Sequence, residues 1–149
     1  MYFGDCMSSK LCMLLLAAAI LTTAAIATKD VYNVNVTNNK DLGEYMTNET
    51  FFTLYYFMND TPGNGISNCN GKCAVNWPPF YVEDLHVNPE LKSSDFTVIT
   101  RDDGKKQLAY MGWPLYQYVG DTKSYDTSGQ GKNNVWFVVN PKNFPPQQT

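Results

Sequence analysis

Few residues in this 149-residue chain can do chemistry, and most of them recur as a pair. Tyr55, Phe57 and Asp60 stand in Leu54-Tyr55-Tyr56-Phe57-Met58-Asn59-Asp60. Tyr116, Tyr118 and Asp121 stand in Leu115-Tyr116-Gln117-Tyr118-Val119-Gly120-Asp121, 61 residues further on. Both copies read Tyr-x-Phe/Tyr-x-x-Asp behind a leucine. Trp77 follows Asp60 by 17 residues and Trp136 follows Asp121 by 15. Two carboxylates at equal stations suggest three chemistries. Converging on one cleft, they would form a general acid and base. Grouped with Asn59 and Asn64, or with Asp126, they would offer oxygens to calcium, although neither loop has EF-hand spacing. At the end of a strand, each can instead accept backbone N–H bonds from its own turn. The last reading is favoured, because a repeat sets its copies at two equivalent loops rather than in one cleft.

Cys69 and Cys73, in Cys69-Asn70-Gly71-Lys72-Cys73, are the second chemical feature. Thioredoxin-like chemistry uses Cys-x-x-Cys, and haem attachment needs a following histidine where Ala74 stands. Zinc needs two more ligands, and His86 is the single histidine of the chain. A disulfide pinning a turn is the expected state, and a redox-active pair is the alternative, since a strained bridge is more easily reduced. His86 reads as a surface residue. Gly129-Gln130-Gly131 lacks the Gly-Lys-Ser/Thr ending of a phosphate loop and reads as a flexible turn. No catalytic constellation is identifiable, and neither a cofactor nor a metal is expected.

The aromatics carry the binding question. Tyr55 and Phe57 lie two residues apart, as do Tyr116 and Tyr118, so each pair faces one side of a strand. One reading has these faces meeting in the core across a pseudo-two-fold, capped by Trp77 and Trp136. The other makes them, with Trp113, an exposed platform for a small planar or sugar-like ligand, or for an envelope protein.

Leu11 to Ile26 is an apolar run preceded by Lys10 and closed by Ala25-Ile26-Ala27, the grammar of a secretory signal peptide. The segment 1–27 is therefore expected to be a leader, or, if uncleaved, the only membrane attachment. Cys6 and Cys12 lack the apolar tripeptide that lipidation requires. With a formal charge of −3 and no basic stripe, nucleic acid is excluded as a partner class. An extracytoplasmic location follows. Asn35, Asn48 and Asn59 each begin an Asn-x-Ser/Thr triplet able to accept a glycan.

The elements that must position these groups are short and β-rich. Val31 to Val36 alternates and predicts a strand broken at Asn38-Asn39-Lys40-Asp41. Gly43 to Thr47 and Phe51 to Met58 predict two more, the latter dense in aromatic and β-branched residues. Pro78 and Pro79 confine Trp77-Pro78-Pro79-Phe80 to an edge or crossing segment. Val82 to Ser94 has room for one helical turn. Phe96 to Thr100 and Gln107 to Met111 flank Asp103-Gly104 as a hairpin. Val135 to Val139 is the last strand. No sustained helical period occurs after residue 30. The expected fold is all-β or nearly so: an N-terminal strand or linker over 28–43, repeat 1 over 44–94, repeat 2 over 95–141, and a Pro-rich tail over 142–149.

These motifs resemble a family of secreted repeats of unknown function. Its members are often described as predicted lipoproteins carrying a Tyr-x-aromatic-x-x-Asp motif, in bacteria and methanogenic archaea. The segments that match are Leu54 to Asp60, Cys69 to Cys73 with Trp77-Pro78-Pro79, Gly112-Trp113-Pro114-Leu115-Tyr116, Gly129-Gln130-Gly131 and Val135-Trp136. The resemblance implies export and a repeat architecture, but no activity. Lacking a lipobox cysteine, the chain departs from the lipoprotein members, and their anchoring does not carry over. The expected function is an exported binding module, with an envelope redox protein using Cys69 and Cys73 as the alternative.

Overall fold

A computed structural model describes residues 30–146. The expected leader, with Cys6 and Cys12, lies outside the described residues. Among the latter no helix is long and apolar enough to cross a membrane.

The elements are β1 (Val34–Asn39), β2 (Gly43–Asn48), β3 (Tyr55–Phe57), α1 (Lys72–Asn76), β4 (Phe96–Thr100), β5 (Lys106–Tyr110), β6 (Trp113–Pro114) and β7 (Trp136–Val138). Short 3₁₀ turns sit at Ser93–Asp95, Lys132–Asn134 and Pro141–Asn143. The fold is mostly strand, in small antiparallel sheets: β1 with β2, β3 with β7, and β4-β5-β6.

Several local expectations shift. β1 begins at Val34 and runs through Asn38-Asn39, which pair with Glu44 and Gly43 instead of breaking the strand. The Asn39 side chain still makes the turn, its Oδ1 accepting the N–H of Asp41 at 2.8 Å. Because β1 pairs with β2, the segment before residue 44 belongs to the hairpin of the first repeat. The Cys69–Cys73 ring is a turn running into helix α1, one turn long and with no buried residue. The helical turn in Val82 to Ser94 falls at its end, on Ser93–Asp95.

Each repeat builds a hairpin (β1-β2 or β4-β5) followed by its Tyr-x-aromatic motif, and the two are interlocked by their ends. Leu54 donates its N–H to Met46 at 2.9 Å, Met46 to Val139 at 2.9 Å, and Val139 to Leu54 at 3.1 Å. The same closed ring recurs with Leu115 donating to Leu108 at 2.8 Å, Leu108 to Phe80 at 2.8 Å, and Phe80 to Leu115 at 2.9 Å. In each ring two members come from one repeat and the third comes from the other. Val139 of repeat 2 completes repeat 1, and Phe80 of repeat 1 completes repeat 2. These backbone groups are buried, so a missing partner would leave N–H and C=O groups without water.

The exchanged segments also pair along the motifs. Tyr55, Tyr56 and Phe57 face Val138, Phe137 and Trp136 as a regular ladder. Its counterpart, Tyr116 against Pro79, is a single bridge, because Pro78 and Pro79 have no N–H to donate. Two apolar clusters result, one around Trp113, Tyr56 and Phe80 and one around Tyr55, Tyr116, Trp77 and Trp136.

The interlock predicts that neither half folds alone. Fragments 30–88 and 89–146, purified separately, should each lack near-ultraviolet circular dichroism. Mixing them should restore it. A fragment that is cooperative and ordered by itself would contradict the exchange of segments.

Candidate functional site

The motif residues converge on one internal site. Tyr55 and Tyr116 are adjacent across the pseudo-two-fold and exchange both backbone bonds, at 2.8 and 2.9 Å. Their side chains cross over. The Tyr55 phenol donates to Asp121 Oδ2 at 2.7 Å, and the Tyr116 phenol donates to Asp60 Oδ2 at 2.6 Å. Each tyrosine thus holds the aspartate of the other repeat. The second oxygen of each carboxylate ties down its own loop: Asp60 Oδ1 accepts the N–H of Asn68 at 2.7 Å, and Asp121 Oδ1 that of Ser128 at 2.8 Å. Such short O–H···O⁻ bonds are of the charge-assisted kind.

Burial raises both carboxyls, an effect opposed at Asp60 by the bonds from Tyr116 and Asn68 and by the charge of Arg101. At Asp121 the bonds from Tyr55 and Ser128 oppose it. Both phenols lie far above the ordinary tyrosine range, first through burial and then through the negative partner each one holds.

The rings form a second symmetric device. Trp77 and Trp136 stack at 3.8 Å with planes 2° apart. Phe57 stacks on Trp136 at 4.3 Å and Tyr118 on Trp77 at 4.3 Å, so each motif's second aromatic covers the other repeat's tryptophan. Tyr55 and Tyr116 meet Trp77 and Trp136 edge-on, at 5.4 and 5.1 Å. The Lys132 ammonium lies 5.3 Å over Tyr118 and closes one end of the stack.

This placement corrects the reading of these rings as an exposed platform. Tyr55, Tyr116, Trp77, Trp136, Asp60 and Asp121 are all buried, and Phe57 and Tyr118 are half-buried. Trp113 is buried elsewhere, edge-on to Tyr56. The reason is geometric: each pair of rings packs on the copy of itself. The two carboxylates sit on separate loops, each engaged by a phenol and an amide.

Gly129-Gln130-Gly131 is a fixed segment, not a flexible one. Gly129 donates its N–H to Tyr55 Oη at 3.2 Å, and Gln130 Oε1 accepts the N–H of Val138 at 2.8 Å. A Cβ on Gly129 would lie 2.8 Å from ring atoms of Trp77 and Tyr55. Of the three glycan triplets, Asn59 is exposed. Asn48 is buried and binds its own turn, and Asn35 donates to the carbonyls of Tyr32 and Asn48.

Cys69 and Cys73 form a disulfide, with Cys69 fully buried. Arg101, overlooked in the sequence reading, is the organiser beside it. Its guanidinium is buried and donates to Ser67 Oγ at 2.7 Å, Gln107 Oε1 at 2.6 Å, Asn70 Oδ1 at 3.1 Å and the Cys69 carbonyl. Ser67 Oγ lies 2.7 Å from the Tyr116 phenol, so Arg101 joins the disulfide loop to the Tyr116–Asp60 pair. The one available signal was that Arg101 is the single arginine among eleven basic residues. Among the described residues no group of three or more His, Cys, Asp or Glu could hold a metal.

Residues 36–81 and 97–140 match the family described as a secreted repeat of unknown function, one match for each repeat and together more than half of the chain. The chain belongs to that family. Its two matches each take in one hairpin, one Tyr-x-aromatic-x-x-Asp motif and one tryptophan of the central stack. No curated protein and no solved structure matches the chain.

Three outcomes test the site. Tyr55→Phe leaves Asp121 Oδ2 without its donor and should cost about 1–3 kcal/mol, with a similar loss for Tyr116→Phe. Because both phenols are raised in the folded state, the folded chain keeps protons that the unfolded chain releases. Stability should therefore hold below about pH 10 and fall above it. Denaturant midpoints measured on either side of that pH should show the fall, shallower in Tyr55→Phe; a flat profile would contradict burial of the phenols. Gly129→Ala should destabilise by about 1–3 kcal/mol in the same assay, since two pinned rings must move.

Proposed function

We propose that this secreted-repeat protein is a binding module acting outside the cytoplasmic membrane, in which the repeat motif is the frame and the loops are the working surface. The observation that carries this reading is that both Tyr–Asp pairs and both tryptophans are engaged with one another inside the molecule. A rigid frame of this kind serves recognition well, because loops clamped in place lose little freedom on binding. Large apolar side chains left at the surface include Val31, Ile66, Val75, Val98, Val119 and Tyr125, with Tyr125 the one aromatic among them. Family membership supports export. The disulfide fits as a staple of the frame, with Cys69 under Arg101, and no observation favours cycling of the pair.

The test is ligand-observed magnetic resonance on the purified chain against neutral saccharides, amines, quinones and short peptides. At least one class should bind saturably and be recovered unchanged. Chemical turnover of a bound compound, or no saturable binder in any class at millimolar concentration, would overturn the proposal.

A further inference from the structure

We infer that the groove beside Phe51 is a saccharide site, an inference that rests on the binding reading above. The argument begins with a difference between the two repeats. In each, the loop entering the motif docks on the loop that follows the aspartate of the other repeat. On one side Gly63 donates its N–H to the Gly112 carbonyl at 3.0 Å; on the other Tyr125 donates to the Phe51 carbonyl at 2.8 Å. All four residues are left-handed, with φ of +75° and +84° at the two glycines, and +67° and +64° at Tyr125 and Phe51. Glycine takes this backbone freely, whereas a bulky side chain takes it only under strain. The frame therefore needs no rings at these stations, since its other half is built with none.

Burial does not offset the strain fully, since Phe51 is half-buried and Tyr125 is 51% exposed. Tyr125 backs the Phe51 ring at 5.1 Å with planes 24° apart, and Phe51 is left lining an open groove of about 500 Å³. The loop beneath is rigid. Asn48 Oδ1 accepts the N–H groups of Thr50 and Phe52, Ser124 Oγ donates to the Thr50 carbonyl, and Thr53 Oγ1 donates to the Asp126 carbonyl.

The groove's polar groups identify the ligand class. Besides Phe51, Tyr32 and the apolar Val31 it is lined by Asp30, Glu49, Asn35 and Asn88, with no basic side chain among the described residues. Asn35 has its amide engaged on two carbonyls and leaves Oδ1 free to accept. Asn88 Oδ1 is taken by the N–H of Glu90, which leaves its amide as a donor. Asp30 accepts the Tyr32 hydroxyl at 3.3 Å and keeps further acceptor capacity. The site is rich in acceptors and negative, and it offers one flat apolar face. Its complement carries several hydroxyl or amide donors, no negative charge and a face of C–H groups. A neutral sugar ring has all three. A quaternary ammonium would meet the carboxylates and the ring but would leave both carboxamides unmatched, and phosphorylated or acidic sugars would be repelled.

The experiment titrates the isotope-labelled chain with neutral hexose and N-acetylhexosamine oligosaccharides, with choline as the cationic control. Saturable amide shifts at Tyr32, Asn35 and Phe51 are expected with a neutral sugar. Phe51→Gly should weaken binding by about tenfold while leaving the thermal midpoint unchanged or raised, because glycine relieves the left-handed backbone. Glu49→Gln, at an exposed position, should weaken the same binding if Phe51→Gly proves unfolded. Sugar binding untouched by these variants would overturn this site and leave the binding reading standing. Shifts with choline alone, or none with any neutral sugar, would overturn the saccharide class.

Discussion

Everything in this molecule depends on a crossed hydrogen bond: the tyrosine of each repeat holds the aspartate of the other. A carboxylate removed from water is costly unless donors surround it, and here a phenol and a backbone amide do so for each one. Since the phenol comes from the opposite repeat, neither aspartate can be buried until both repeats are in place. The closed backbone rings at Leu54 and Leu115 impose the same condition on the main chain. The Trp77–Trp136 stack, lying between the halves, adds apolar burial that exists only when they are joined. Polar satisfaction, backbone pairing and ring packing thus share one requirement, and cooperativity follows from it.

The symmetric frame makes its departures informative. Where the two repeats need the same contact they use like residues: Leu54 and Leu115, Tyr55 and Tyr116, Trp77 and Trp136. Around Tyr116 the first repeat adds the disulfide and Ser67 and the second adds the reach of Arg101, whereas the Tyr55 hydroxyl accepts from Gly129 N–H beyond its bond to Asp121. At the loop contact one side uses Gly63 and Gly112, and the other uses Tyr125 and Phe51. Residues the frame does not require are where a function distinct from folding can reside.

Much of the local structure was legible in the residues. Asp103-Gly104 between β-rich runs marked the β4-β5 hairpin, because the tight turn wants a left-handed station and Gly104 supplies it at φ +80°. The tryptophan spacing signalled a paired role before its nature was known. Asn38-Asn39 misled, since asparagine favours turns, yet Asn39 could stay in the strand and build the turn with its side chain. Arg101 was hidden because a lone charge beside Asp102-Asp103 looks like a solvated hairpin end. Only the fold brings Ser67, Cys69, Asn70 and Gln107 around it.

The sequence by itself determined the repeat, the β class, the placement of Tyr55 and Phe57 on one strand and the disulfide between neighbouring cysteines. These properties follow from chain-local rules: period-two alternation, turn preference and short ring closure. The tertiary structure decided which way the rings face, which tyrosine serves which aspartate, and which strand completes which repeat. Those are contacts between residues about 60 positions apart, as for Tyr116 with Asp60 and Tyr55 with Asp121. A local pattern shows that a phenol must find a buried acceptor, but two identical acceptors were available. The choice between them was made by the pseudo-two-fold packing, which sets each phenol against the partner repeat's carboxylate.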